Sequence, residues 1–298
     1  MKKLIKKISA FAITFGILIT SFSFGVSAES PSPEPVLTKA QFANLHSTKN
    51  NMEFTSSMDK EDRYNFLLQY FASSCVSTDL VTPSKNSEGL TIADEKLNPL
   101  GFYIYSYQEP DISLMSSQND VKINNVTILY DSNDNTWSLV GGGYWLTDNW
   151  KKEISGNGNI NGRDGVGIAI TNLTGSSSHG FAPKESYAYV HDGNNNSITV
   201  TNRTFANYEQ GVFFEYDDYV SDNYFWSTPK YMGYGFSAAM IYDNDLFLAY
   251  NGRATTYYAH TWQSSSITSI GASTTGFSIG FSDYDHSFYA YSNQAKAF

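Results

Sequence analysis

The chain has 298 residues, with 29 Asp and Glu against 19 Lys and Arg, a net charge of −10 and a single cysteine. That charge repels nucleic-acid phosphates and anionic lipid headgroups, so electrostatics argues against both as partners. One cysteine excludes an internal disulfide, which leaves a conventional hydrophobic core to hold the fold, and the chain is long enough to bury one.

Residues 1–28 read as a signal peptide. Lys2, Lys3, Lys6 and Lys7 form a charged head, residues 8–19 an apolar run, and Val26, Ser27 and Ala28 a small-residue cleavage site before Glu29. Cleavage removes four lysines and no acid, so the mature chain is more acidic still. The apolar run is shorter than the roughly 20 residues of a spanning helix, and no later segment is apolar enough. The expected product is secreted and extracellular, with no stable membrane anchor.

Residues 29–38, with Pro31, Pro33 and Pro35 among Ser and Glu, have too little apolar surface to pack and read as a disordered leader. Residues 39–99 form an N-terminal helical region and connection. A short helix is expected over 39–45. A longer one spans 57–75, where Asp59, Glu61 and Asp62 crowd the first turn and Tyr64, Leu67, Leu68, Phe71 and Cys75 share one face. Residues 73–98, polar and holding Pro83 and Gly89, read as an irregular connection.

From residue 100 to 298 the chain is rich in Tyr, Phe, Thr, Val and Ile, punctuated by Gly, Asn and Asp. These are strand residues separated by turn residues. Strands are expected at 101–107, 121–130 and 136–145, the last two forming a hairpin across Asp131-Ser132-Asn133-Asp134-Asn135. Others fall at 166–171, 197–202, 211–219, 246–250, 254–260, 266–272, 276–281 and 287–291. Asn251-Gly252 suits a tight hairpin turn. Many short strands with no convincing helix between them predict a mainly β fold: an antiparallel β-sandwich or barrel-like domain preceded by a short α-helical region.

No motif specifies a reaction, and no catalytic residue or metal ligand is assigned. Gly276-Phe277-Ser278-Ile279-Gly280 matches the nucleophile-elbow pattern, but its serine sits in an alternating strand with no following helix. Gly141-Gly142-Gly143 and the glycines of 156–162 open no helix toward a phosphate and read as turn or loop glycines. The five histidines occur singly, without zinc spacing. Asp131 to Asn135 starts like a calcium loop but has Thr136 and Gly142 where glycine and glutamate are needed; a structural calcium is the one cofactor the carboxylates allow.

Two features invite a functional reading. Exposed aromatic rings give flat apolar faces with a hydrogen-bonding edge, and Trp145, Trp150, Tyr219, Tyr224 and Trp226 are the candidates for contacting an extracellular polysaccharide or protein. Glu209, Glu215, Asp217, Asp218 and Asp222 lie among these rings and could supply the carboxylate pair of a glycosidase. A membrane-active, toxin-like protein is a third reading, because residues 267–282 form a Ser- and Thr-rich hairpin; its arms of about seven residues fall short of the roughly 9 to 11 a membrane strand needs.

Overall fold

The computed structural model describes residues 38–47, 58–72, 82–86, 89–93, 96–106, 120–151, 162–194, 196–207, 209–220, 230–263, 265–292 and 296–297. Residues 1–28, expected to be a signal peptide, Pro31, Pro33 and Pro35 of the expected leader, and Cys75 lie outside the described residues.

Helices α1 (Lys39–His46) and α2 (Lys60–Ala72) come first. They are followed by β1 (Thr82–Asn86), β2 (Gly89–Ala93), β3 (Phe102–Ser106), β4 (Val121–Asp131), β5 (Thr136–Trp145) and β6 (Arg163–Gly175). Next are β7 (Glu185–His191), β8 (Ser197–Val200), β9 (Arg203–Asn207), β10 (Gly211–Asp217), β11 (Tyr219–Val220) and β12 (Lys230–Tyr231). The chain closes with β13 (Gly235–Asp243), the short helix α3 (Asn244–Leu248), β14 (Tyr250–Thr261), β15 (Ile267–Ser273), β16 (Gly276–Phe281), β17 (Ser287–Tyr291) and β18 (Lys296–Ala297). The expected antiparallel sandwich after a helical N-terminal region is what forms.

The first sheet runs in the order β1-β2-β3-β4-β5-β13-β7-β8 and the second β17-β14-β6-β10-β9, with β18 also on β14. Their facing sides alternate apolar residues into one core. Ile128, Leu139, Val190 and Phe236 come from the first sheet, and Val166, Ile168, Phe214 and Tyr258 from the second. Phe236 lies flat on Tyr258, ring centroids 3.9 Å apart. On β10, Val212, Phe214 and Tyr216 point into this core while Phe213, Glu215 and Asp217 point away, as strand period two requires.

Both outer faces are covered. Helix α2 lays Leu67, Leu68 and Phe71 over Leu129, Val140, Ala239 and Ile241 of the first sheet. The β15–β16 hairpin lays Phe277, Ile279 and Phe281 over Ala169, Phe213, Tyr257 and Ala259 of the second. The central strands therefore have apolar neighbours on both sides, which explains where the sequence expectations fail. All of β13 except its last residue is buried, so it shows no alternation and was not expected as a strand. Strands β7 and β9 were not expected either.

Three further expectations are corrected. Residues 73–98 are not wholly irregular, since β1 and β2 pair there as a hairpin at the edge of the first sheet. Asn251-Gly252 makes no hairpin turn: β14 runs straight through it against β6, and the pair sits at a register shift, while 244–248 is α3 rather than strand. Gly141-Gly142-Gly143 lies inside β5 instead of a loop. A Cβ on Gly142 would sit 2.6 Å from the Phe236 carbonyl and 2.7 Å from that of Phe71, so glycine here admits the end of α2.

Candidate functional site

Three segments meet at one end of the sandwich. The β4–β5 turn brings Asp134 and Asn135, the β6–β7 connection brings Ser177, Ser178 and His179, and the β13–α3 junction brings Asp243, Asn244, Asp245 and Leu246. Together they line a cleft of about 610 Å³, within the size range of small-molecule sites.

Each segment is held by buried groups behind it. Asp131, at the end of β4, receives both terminal nitrogens of Arg63 on α2, at 2.9 and 2.8 Å, and the Asn133 amide at 3.0 Å. Burial raises the Asp131 carboxyl, and the Arg63 guanidinium opposes that shift. Asn135 takes a left-handed conformation, φ 54°, which closes the turn. The Tyr250 hydroxyl accepts the Ser177 amide at 3.1 Å, and Ser177 Oγ reaches the Gly180 carbonyl at 3.3 Å.

The polar lining is oriented. The Trp137 indole N–H can only donate, and it does so to Asn244 Oδ1 at 2.8 Å; the Tyr130 hydroxyl donates to Asn135 Oδ1 at 2.8 Å. Each amide oxygen already accepts a bond, so each asparagine keeps its –NH₂ as the group to offer. Asp134 touches Arg63 at 3.1 Å and Asp243 touches Lys184 at 3.1 Å, which offsets part of the negative charge. His179 Nδ1 and Ser178 Oγ are 2.8 Å apart. Among the described residues no three His, Cys, Asp or Glu side chains form a metal-holding group. Each asparagine Oδ1 also keeps a second lone pair beside its –NH₂, so the two asparagines can both donate to and accept from a hydroxyl-bearing ligand.

The aromatic candidates belong to the other end of the sandwich. The structure does bring their segments together: Trp150 packs on Tyr231, 6.1 Å between centroids, and Tyr231 pairs with Tyr219 across β11 and β12. The exposure expected of the tryptophans is absent, however, because Trp145 is 3% and Trp150 4% exposed, both within the central core. A chain with few large aliphatic residues fills its interior with rings. Tyr224 and Trp226 lie outside the described residues. Trp145 Nε1 donates to the Tyr258 hydroxyl at 3.1 Å, and that hydroxyl donates to Asp164 at 2.6 Å. Asp164 also receives His260 Nδ1 at 2.9 Å and the Thr261 amide at 3.1 Å. This is a buried carboxylate satisfied on all sides, of the kind that fixes packing.

The carboxylates of 209–222 do not gather in a pocket among the described residues. Glu209 is exposed in the β9–β10 turn, Asp218 is buried, and Asp217 pairs with Arg163 at 3.0 Å on an open strand face. Glu215, two positions before Asp217, is raised by burial. Asp222 lies outside the described residues. Sequence reasoning missed the cleft because its residues come from three distant segments; the turn 131–135 alone was visible. No known family matches the chain, and no curated protein is similar to it.

Proposed function

We propose that this is an exported binding protein whose cleft takes a neutral, hydroxyl-rich ligand of the glycan class. The observation that carries the reading is the pairing of two oriented asparagine amides with the carboxylates of Asp134, Asp243 and Asp245 around one cleft. Carboxylates accept from sugar hydroxyls and amides donate to them, and hydrogen bonds to a charged acceptor are the stronger kind. Leu246 supplies the small apolar contact a ring face needs. Export rests on the lysine-rich head, apolar run and small-residue site of residues 1–28. It predicts that the chain recovered from culture medium begins at Glu29 by intact mass; a product retained in cells with residue 1 in place would refute it.

Calorimetric titration with a panel of neutral oligosaccharides tests the cleft. Asp245→Ala is expected to weaken binding by roughly 10- to 100-fold, the worth of one hydrogen bond to a charged group, with thermal stability unchanged. Equal binding by wild type and variant, or no saturable binding to any sugar, overturns the reading. Release of reducing ends during the titration would instead move the protein to the hydrolase class.

A further inference from the structure

The β15–β16 ribbon is chemically unlike the rest of the chain. From Trp262 to Ser282 there is no Asp, Glu, Lys, Arg or His, in a protein of net charge −10. The two strands hydrogen-bond as a strand pair with each other and with neither large sheet. Side-chain packing holds the ribbon on the second sheet, with the Tyr257 hydroxyl bonded to the Phe277 backbone; at its base the two arms are clasped to each other, Ser265 Oγ donating to the Asp283 carbonyl at 2.8 Å and Ser266 meeting Ser282 at 3.2 Å.

The register sorts its residues by polarity. Ile267 pairs with Phe281, Ile270 with Ile279 and Ala272 with Phe277, so the apolar side chains form one face. The shift between Ile267 and Ser269 corrects the phase of β15 and keeps Ile267 on that face. Thr268, Ser269, Ser273, Ser278 and Ser282 are exposed. A ribbon that served only as a soluble cover would ordinarily carry charges on its outer face to stay in water and to repel other edges. Hydroxyls on one face and apolar groups on the other, without a charge, are the pattern of a strand that faces lipid on one side and water on the other. One of the large apolar residues that are exposed stands at its base: Tyr284, 69% exposed, with its ring 5.7 Å from that of Phe281. A tyrosine at that level matches the aromatic girdle at a membrane interface.

We propose that the β15–β16 ribbon is a membrane-inserting element: it swings off the second sheet, turns Phe277, Ile279 and Phe281 to lipid, and keeps the Ser face on water. The uncharged run gives the first arm twelve residues, Trp262–Ser273, but the second only seven, Gly276–Ser282, so a crossing of roughly 9 to 11 residues carries the second arm past Asp283 to the level of Tyr284. A lone ribbon leaves two edges unpaired, which hydrocarbon does not tolerate, so ribbons from several copies must close into one wall. The inference goes beyond the glycan reading and does not depend on it.

Vesicles of phosphatidylcholine and cholesterol, free of glycan, supply the test. In a Cys75→Ala background, Ile279→Cys and Ser278→Cys each carry an environment-sensitive dye. The expected result is quenching of the dye at 279 by lipid-borne nitroxides, quenching of the dye at 278 by aqueous iodide, and leakage of trapped calcein. Unlabelled wild type should gain protease protection over 262–284 on the same vesicles, which keeps the test valid if Ile279→Cys does not fold. Vesicles that neither leak nor protect this segment overturn the proposal, whatever the sugar titration gives.

Discussion

His46 shows how one side chain can set the pH response of a docked helix. Its ring stacks on Tyr103 with centroids 4.0 Å apart and touches Phe42 at 4.6 Å, and its buried Nε2 has no hydrogen-bond partner among the described residues. Burial pushes its pKa from 6.5 down to about 4. Between those values the unfolded chain holds a proton that the folded chain does not, so stability falls as pH drops through that window and is unaffected above it. His191 is also lowered by burial, although its Nε2–H donates to the Ala72 carbonyl at 2.7 Å, and it adds to the same slope. His46→Phe is therefore expected to remove part, not all, of the loss of Tm between pH 6.5 and 4; a melting series with an unchanged slope would refute this. Nothing in the sequence marked His46 as different from the other histidines, because its shift comes from burial, to which Tyr103, far along the chain, contributes.

At the scale of elements, the fit between α2 and the first sheet depends on absent side chains. Gly142 faces two carbonyl oxygens, and Gly235 faces the Ala72 carbonyl and the His191 ring. The Ser237 hydroxyl donates to the Leu68 carbonyl at 2.8 Å, tying the helix to β13 at the same place. Gly142→Ala must push α2 or β13 outward, and we expect a loss of about 1–3 kcal/mol, the usual range for overpacking, in urea denaturation. A change below about 0.5 kcal/mol would show that α2 adjusts freely. Helix α2 was legible because its apolar positions recur on one face, β16 and β17 because they alternate between a buried and a less buried side, and β4 and β5 because strand-forming residues flank the polar turn 131–135. Strand β13 was not, since α2 covers one side and the second sheet the other, erasing its period. The cleft was illegible for a different reason. Asp134, His179 and Asp245 are ordinary surface residues until β6 and β13 bring their ends together.

At the largest scale, the described residues stack in four layers, α2, the first sheet, the second sheet and the β15–β16 ribbon, with ring-rich interiors between them. The chain's unusual aromatic content finds a place in this arrangement: Trp137, Tyr130, Tyr242, Phe181 and Phe247 are all fully buried, and of the rings expected to recognise a ligand Trp145 and Trp150 build the core as well. What stays outside is polar at the cleft and uncharged along the ribbon. The two proposals therefore assign different surfaces to a scaffold whose interior serves neither directly.

The Lys39 ammonium donates to the Phe247 carbonyl at 2.9 Å and also to that of Tyr250, positions 208 and 211 residues later. Strands β5 and β7 likewise wait for β13 to come between them, and β6 for β14. Loop closure over such distances precedes any reward from the contacts, which places this topology among slow folders. Until its final quarter has been synthesised, the polypeptide lacks the strands that complete either sheet. Pliability over that interval is what the proposed export through a narrow passage would demand.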